Sequence, residues 1–107
     1  MDTMPSKSSI QATDAFGRWM RRLRDTRARA LIAERIQRLV NGGPADVKSV
    51  GCNVSELRIH VGPGYRVYFT RQGQQLILLL CAGDKDSQAS DIQKARRMAT
   101  ELSCARR

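Results

Sequence analysis

Residues 55–70, Ser-Glu-Leu-Arg-Ile-His-Val-Gly-Pro-Gly-Tyr-Arg-Val-Tyr-Phe-Thr, constrain this chain more than any other stretch. Leu57, Ile59 and Val61 alternate with Glu56, Arg58 and His60, and beyond Gly62-Pro63-Gly64 the residues Tyr65, Val67 and Phe69 alternate with Arg66, Tyr68 and Thr70. A period of two on each side of a Gly-Pro-Gly turn predicts a β-hairpin whose strands each have one apolar and one polar face. With residues 62–64 as a three-residue loop, Val61 opposes Tyr65, His60 opposes Arg66, Ile59 opposes Val67, Arg58 opposes Tyr68 and Leu57 opposes Phe69. A slip by one residue would put half the hydrophobic set in water, so the pattern rejects it. Arg58, His60, Arg66 and Tyr68 then share the polar face. Two guanidiniums beside an imidazole and a phenol place fixed positive charge next to a group that exchanges protons near neutral pH, and they form the candidate site.

The elements around the hairpin follow from periodicity. Residues 1–9 are polar, Ser-rich and aperiodic and read as a disordered leader, leaving 10–107 as a single domain, with a weak first strand signalled near residues 9–13. Phe16, Trp19, Met20 and Leu23 recur at helical spacing, with Asp14 placed to cap them. Ala28, Leu31, Ile32, Ile36, Leu39 and Val40 give a second helical stripe that stops at Asn41-Gly42-Gly43-Pro44. Residues 47–52 read as a short strand carrying Lys48. The continuous apolar run 76–82 reads as a strand buried on both faces and as the middle of the sheet. Ser87 is placed to cap a last helix with Ile92, Ala95, Ala99 and Leu102 along one side. The order predicts an α+β domain, two N-terminal helices and one C-terminal helix packed on one face of a small, mostly antiparallel sheet. Arg58, His60, Arg66 and Tyr68 would point from the open face.

Charge narrows the function classes. Nineteen Lys and Arg against ten Asp and Glu give a formal net charge of +9, which favours a polyanionic partner, nucleic acid first. An acidic protein partner accounts for the same charge. Cys52, Cys81 and Cys104 form no Cys-x-x-Cys pair and have one histidine to share, which argues against a zinc site; no cofactor is expected. Cys52 and Cys81 read as small strand hydrophobes. An odd number of separated cysteines without an apolar signal segment points to reduced thiols in the cytoplasm. The longest apolar run is far short of the ~20 residues of a membrane span.

Four strings then carry a resemblance: Val47-Lys48-Ser49-Val50-Gly51, Ser55-Glu56-Leu57-Arg58-Ile59, Gly62-Pro63-Gly64-Tyr65-Arg66-Val67-Tyr68-Phe69, and Leu79-Leu80-Cys81-Ala82-Gly83-Asp84-Lys85. Over residues 14–102 the chain resembles the toxins of type II toxin–antitoxin modules, namely the RelE/ParE superfamily in its phage-derived, HigB-like addiction-module killer branch. The resemblance implies a RelE-like fold and a cytoplasmic, metal-independent endoribonuclease that cleaves messenger RNA on the ribosome. It also implies silencing by a cognate antitoxin, of helix-turn-helix type, in a hetero-oligomer. By position, Arg58, His60, Arg66 and Lys85 would surround the scissile phosphate. Lys48, Tyr68 and Arg71 are the further candidates for RNA contact, Tyr68 by stacking on a base. RelE has a lysine pair where this chain has Arg58 and His60, and a tyrosine near the start of the last helix where this chain has Ala89, Ser90, Asp91 and Ile92. Either His60 or Tyr68 then takes over proton transfer, or the activity differs. A ParE-like gyrase inhibitor and a non-catalytic basic nucleic-acid-binding module are the alternatives.

Overall fold

The computed structural model describes residues 9–73 and 75–105. The elements run β1 (Ser9–Ala12), α1 (Asp14–Arg22), α2 (Thr26–Val40), β2 (Val47–Gly51), β3 (Val54–Ile59), β4 (Tyr65–Gln72), β5 (Leu76–Gly83) and α3 (Gln88–Ala105). They form one five-stranded sheet in the order β1-β5-β4-β3-β2, with β1 parallel to β5 and the other pairs antiparallel. The α+β class with three helices and a mostly antiparallel sheet is therefore observed. The expected leader lies outside the described residues except for Ser9, which opens β1.

Local chemistry sets the helix ends. Thr13, rather than Asp14, caps α1: its Oγ1 accepts the Phe16 N–H at 3.2 Å and donates to the Leu80 carbonyl at 2.5 Å, so the cap also ties the helix to β5. Asp14 sits instead in the first turn, where a carboxylate favours the helix dipole. Asp25 caps α2 by accepting from Arg27 and Ala28 N–H groups at 3.0 and 3.1 Å. The helix stops where Gly42 takes a φ of +78° and Gly43 N–H returns to the Arg38 carbonyl at 2.9 Å. Ser87 precedes α3, but its hydroxyl accepts the Asp84 N–H and donates to Asp91 Oδ2 at 2.5 Å.

Both faces of the sheet are covered, which corrects the expectation of helices on one face. Leu57, Ile59, Tyr65, Val67, Phe69, Ile77 and Leu79 pack with Phe16 of α1 and with Ile32, Ile36, Leu39 and Val40 of α2. On the other face Val54, Tyr68, Leu78, Leu80 and Cys81 pack with Ala95 and Ala99 of α3, flanked by Ile92, Met98 and Leu102. The reason lies in β5. Its side chains are apolar at successive positions, so one face would be left in water unless a helix covered each side. The strand does not hold the middle of the sheet, as expected, but lies between β1 and β4, and β4 is central. A bulge adds to the second face: Tyr68 pairs with Cys81 while Phe69 pairs with Leu79, so Leu80 is the extra residue and joins Cys81 against α3.

The hairpin register is two residues from the expected one. Ile59 opposes Tyr65, Arg58 opposes Arg66, Leu57 opposes Val67 and Glu56 opposes Tyr68. The loop spans residues 60–64, with Gly62 and Gly64 at φ of +52° and +80° and the Gly64 N–H bonded to the Val61 carbonyl at 2.9 Å. Glycine is required there because L side chains rarely adopt positive φ. A shift of two leaves every side chain on its own face, so alternation does not select between these registers. It does move His60 and Val61 off the strand, where both are exposed. Cys52 also departs from expectation: it sits exposed in the β2–β3 turn at φ +54°, beside Asn53 at φ +66°.

Gly83, at the end of β5, allows α3 to start hard against the sheet. A methyl group there would overlap the Asp91 carboxylate and the Ser87 hydroxyl. Gly83→Ala is expected to cost about 1–3 kcal/mol through overpacking. Urea denaturation measures it, and an unchanged midpoint would show that α3 can re-seat freely.

Candidate functional site

Arg58 and Arg66 are direct cross-strand partners, so two guanidiniums leave the same face of neighbouring strands about 5 Å apart at their Cα atoms. Like charges so placed repel, and each is drawn to its own carboxylate. Arg58 turns to the sheet edge, where Nη2 and Nε donate to Asp46 Oδ1 at 2.8 and 3.3 Å. The strand ladder delivers Asp46 there, since the Arg58 N–H donates to the Asp46 carbonyl at 2.9 Å just before β2. The other oxygen of Asp46 meets His60 Nε2 at 2.5 Å, so one carboxylate joins arginine and imidazole. The Arg58 hydrogen bond, then that of His60, holds the Asp46 carboxyl below the usual carboxylate range. Asp46 in turn raises Arg58, which keeps its charge. These side chains line a cleft of about 460 Å³ together with Arg35, Arg38 and Pro44.

Arg66 goes inward. It is 9% exposed and lies against Glu56, which is fully buried; Arg66 Nε stands 3.6 Å from Glu56 Oε2, an ion pair beyond hydrogen-bonding distance. The same Glu56 oxygen accepts from Tyr68 Oη at 3.0 Å and Gln88 Nε2 at 2.8 Å. Arg66 Nη1 donates to the Gly64 carbonyl at 2.7 Å. Among the described residues, Glu56 Oε1 and Arg66 Nε have no hydrogen-bond partner.

Lys85 completes the corner. Its N–H donates to the Pro63 carbonyl at 3.3 Å, and a Cβ at Gly64 would lie 3.1 Å from Arg66 Nη1 and 3.5 Å from Lys85 Cβ. The hairpin loop, the start of β4 and the loop after β5 thus bring Arg58, His60, Arg66 and Lys85 to one end of the sheet. The other sequence candidates disperse. Lys48 is exposed on β2 opposite Glu56. Arg71 lies on the side of the sheet that faces α1 and α2, its guanidinium 5.8 Å from the Phe69 ring centroid. At ~3.3 Å per residue it is roughly 16 Å along β4 from Arg66.

Tyr68 is fully buried beneath α3, so the ring offers no face for a base, and this corrects the expected stacking role. Burial first, then its bond to Glu56, drives the phenol's pKa far up, and it stays protonated. Of the two side chains proposed for proton transfer, His60 is the one in solvent. Burial likewise pushes the Cys81 thiol up to about 11, which leaves it unreactive near neutral pH. Sequence reasoning did not identify Asp46 or the hub role of Glu56. Asp46 was legible only through the β2–β3 register, in which Val47 opposes Leu57 and Asp46 therefore falls opposite Arg58. Among the described residues, no three His, Cys, Asp or Glu side chains gather as a metal set, and no helix is long and apolar enough to cross a membrane.

The depressed Asp46 carboxyl has a testable sign. A carboxylate with a folded pKa below its unfolded value stabilises above the unfolded value, and that contribution fades as pH falls through the folded one. Asp46→Asn should therefore be less stable than the parent at neutral pH, with the difference closing in acid. Urea unfolding at a series of pH values checks this, and a pH-independent difference would show that charge is not the cause.

The family model described as phage-derived protein Gp49-like (DUF891) matches residues 18–102. An uncharacterized protein of Haemophilus influenzae is 46% identical over 93 residues, spanning 87% of this chain and 94% of that relative. Both matches take in the hairpin and the loop that carries Lys85, and the chain belongs to the phage-derived Gp49-like family.

Proposed function

We propose that this protein is the toxin of a type II toxin–antitoxin module and that it cleaves messenger RNA on the ribosome by metal-independent attack of a 2′-hydroxyl. Membership of the Gp49-like family, a family of RelE-like addiction-module toxins, supports the toxin reading. The observation that carries the chemistry is the corner at Gly64, where Arg66 Nη1 and Lys85 flank the hairpin loop and Arg58 stands across the strand pair.

In this reading the 2′-oxygen attacks the neighbouring phosphorus as a base removes its proton. The bond to the 5′-oxygen breaks, and that oxygen takes a proton from an acid. The products are a 2′,3′-cyclic phosphate and a free 5′-hydroxyl. Arg66, Lys85 and Arg58 supply cations where charge gathers on the phosphoryl oxygens, and the planar fork of Arg66 suits two of them. His60, solvent-exposed and oriented by Asp46, is the proton-transfer group. A cognate antitoxin silences the toxin by covering this basic end with carboxylates or a helix.

His60→Ala tests the assignment. General acid–base groups contribute about 10²–10⁴-fold, so induced His60→Ala protein should cut messenger at a rate reduced by that order. Cleavage at the parent's rate by well-expressed protein would remove His60 from the mechanism.

A further inference from the structure

A fully buried carboxylate is costly unless it is paired and hydrogen-bonded, and Glu56 is only partly so. Oε2 takes both donors, from Tyr68 and Gln88, while Oε1 has none among the described residues. The carboxylate also sits 3.6 Å from Arg66 Nε without bonding it. Were Glu56 there for stability alone, a bidentate bond to Arg66 would be the better arrangement, since it would satisfy both oxygens and both donors. Instead Glu56 is held from behind, by a phenol beneath α3 and an amide from that helix's first residue. It attracts the guanidinium, whose buried Nε faces the carboxylate while Nη1 reaches the Gly64 carbonyl.

We propose that Glu56 is a positioning residue for Arg66. Tyr68 and Gln88 fix the carboxylate, and the carboxylate's field at the buried Nε, together with the Gly64 carbonyl, aims the terminal Nη groups of Arg66 at the Gly64 corner, where they can meet a phosphate. Gln88 extends the same control to Lys85, because the amide that grips Glu56 opens the helix directly after the Lys85 loop. Moving the fork by about 1 Å would cost on the order of 10²-fold in rate. This inference rests on the reading that Arg66 meets RNA phosphate.

The test joins a rate to a spectroscopic signature. In Glu56→Gln protein, the maximal rate of messenger cleavage on ribosomes should fall about 10- to 100-fold with KM little changed, and the Arg66 Nε–H resonance should shift or broaden. Tyr68→Phe and Gln88→Ala, which keep the carboxylate but loosen it, should move both readouts in the same direction by less. They also decide the matter if Glu56→Gln fails to fold. Parental rate and an unchanged Arg66 resonance in folded variants would overturn the proposal. So would a rate loss that tracks thermal stability and disappears on cooling, because a merely structural role predicts that. If the parent protein cuts no RNA, the nuclease reading falls, while the Arg66 resonance still reports whether Glu56 orients it.

Discussion

Arg66→Ala is expected to abolish growth arrest on induction and to lower stability by about 3 kcal/mol, the low end for breaking a buried pair. The sequence placed Arg66 on an open face, where truncation would spare the fold. In the structure the side chain is buried against Glu56, whose other contacts are Tyr68 and Gln88. Removing the guanidinium leaves a buried carboxylate with no cation, and the two remaining donors soften the loss without cancelling it. Loss of toxicity alone would thus be ambiguous. The double variant Arg66→Ala/Glu56→Gln separates the effects: neutralising the carboxylate should return much of the stability while arrest stays absent. Chemical denaturation and growth after induction give the two readings. Arrest retained by well-expressed Arg66→Ala protein would exclude Arg66 from the mechanism.

The contrast between Arg66 and Arg58 shows what could be read from residue order. Alternation located both strands, the glycines located the turn, and the stop after Val40 and the stripe of Ile92, Ala95 and Ala99 located the helices, because each signal is local. Register was not local. A two-residue shift preserves every face, so the choice fell to a loop of residues 60–64 with two glycines at positive φ. That shift moved His60 off the strand, and the β2–β3 pairing set Asp46 within its reach. The side on which α3 packs was implied by the apolar run of β5, which needs cover on both faces. Even so, the polar pattern of Glu56, Arg58, Arg66 and Tyr68 suggested an open surface. Burial of Glu56 depends on Tyr68, 12 residues away, and Gln88, 32 residues away, and neither spacing leaves a periodic trace.

Dependence on the ribosome should be the largest effect of all. The corner offers cations and one exposed imidazole beside an open cleft of about 460 Å³, groups that neutralise charge and move protons rather than fix the direction of a strand. Holding the 2′-oxygen, phosphorus and 5′-oxygen in line is then left to a scaffold, and such ordering is worth up to about 7–11 kcal/mol. Naked RNA is expected to be cut orders of magnitude more slowly than messenger bound to translating ribosomes. Equal rates on both would show that the protein aligns its substrate unaided.

Purified protein added to a translating system, with messenger ends mapped by primer extension and their terminal groups identified, decides whether it is a ribosome-dependent nuclease. Discrete cuts within translated codons are expected, with 2′,3′-cyclic or 3′-phosphate and 5′-hydroxyl ends, and both should be lost in Arg66→Ala/Glu56→Gln protein. Intact messenger, together with gyrase arrested on cleaved DNA in a parallel reaction, would contradict the nuclease reading.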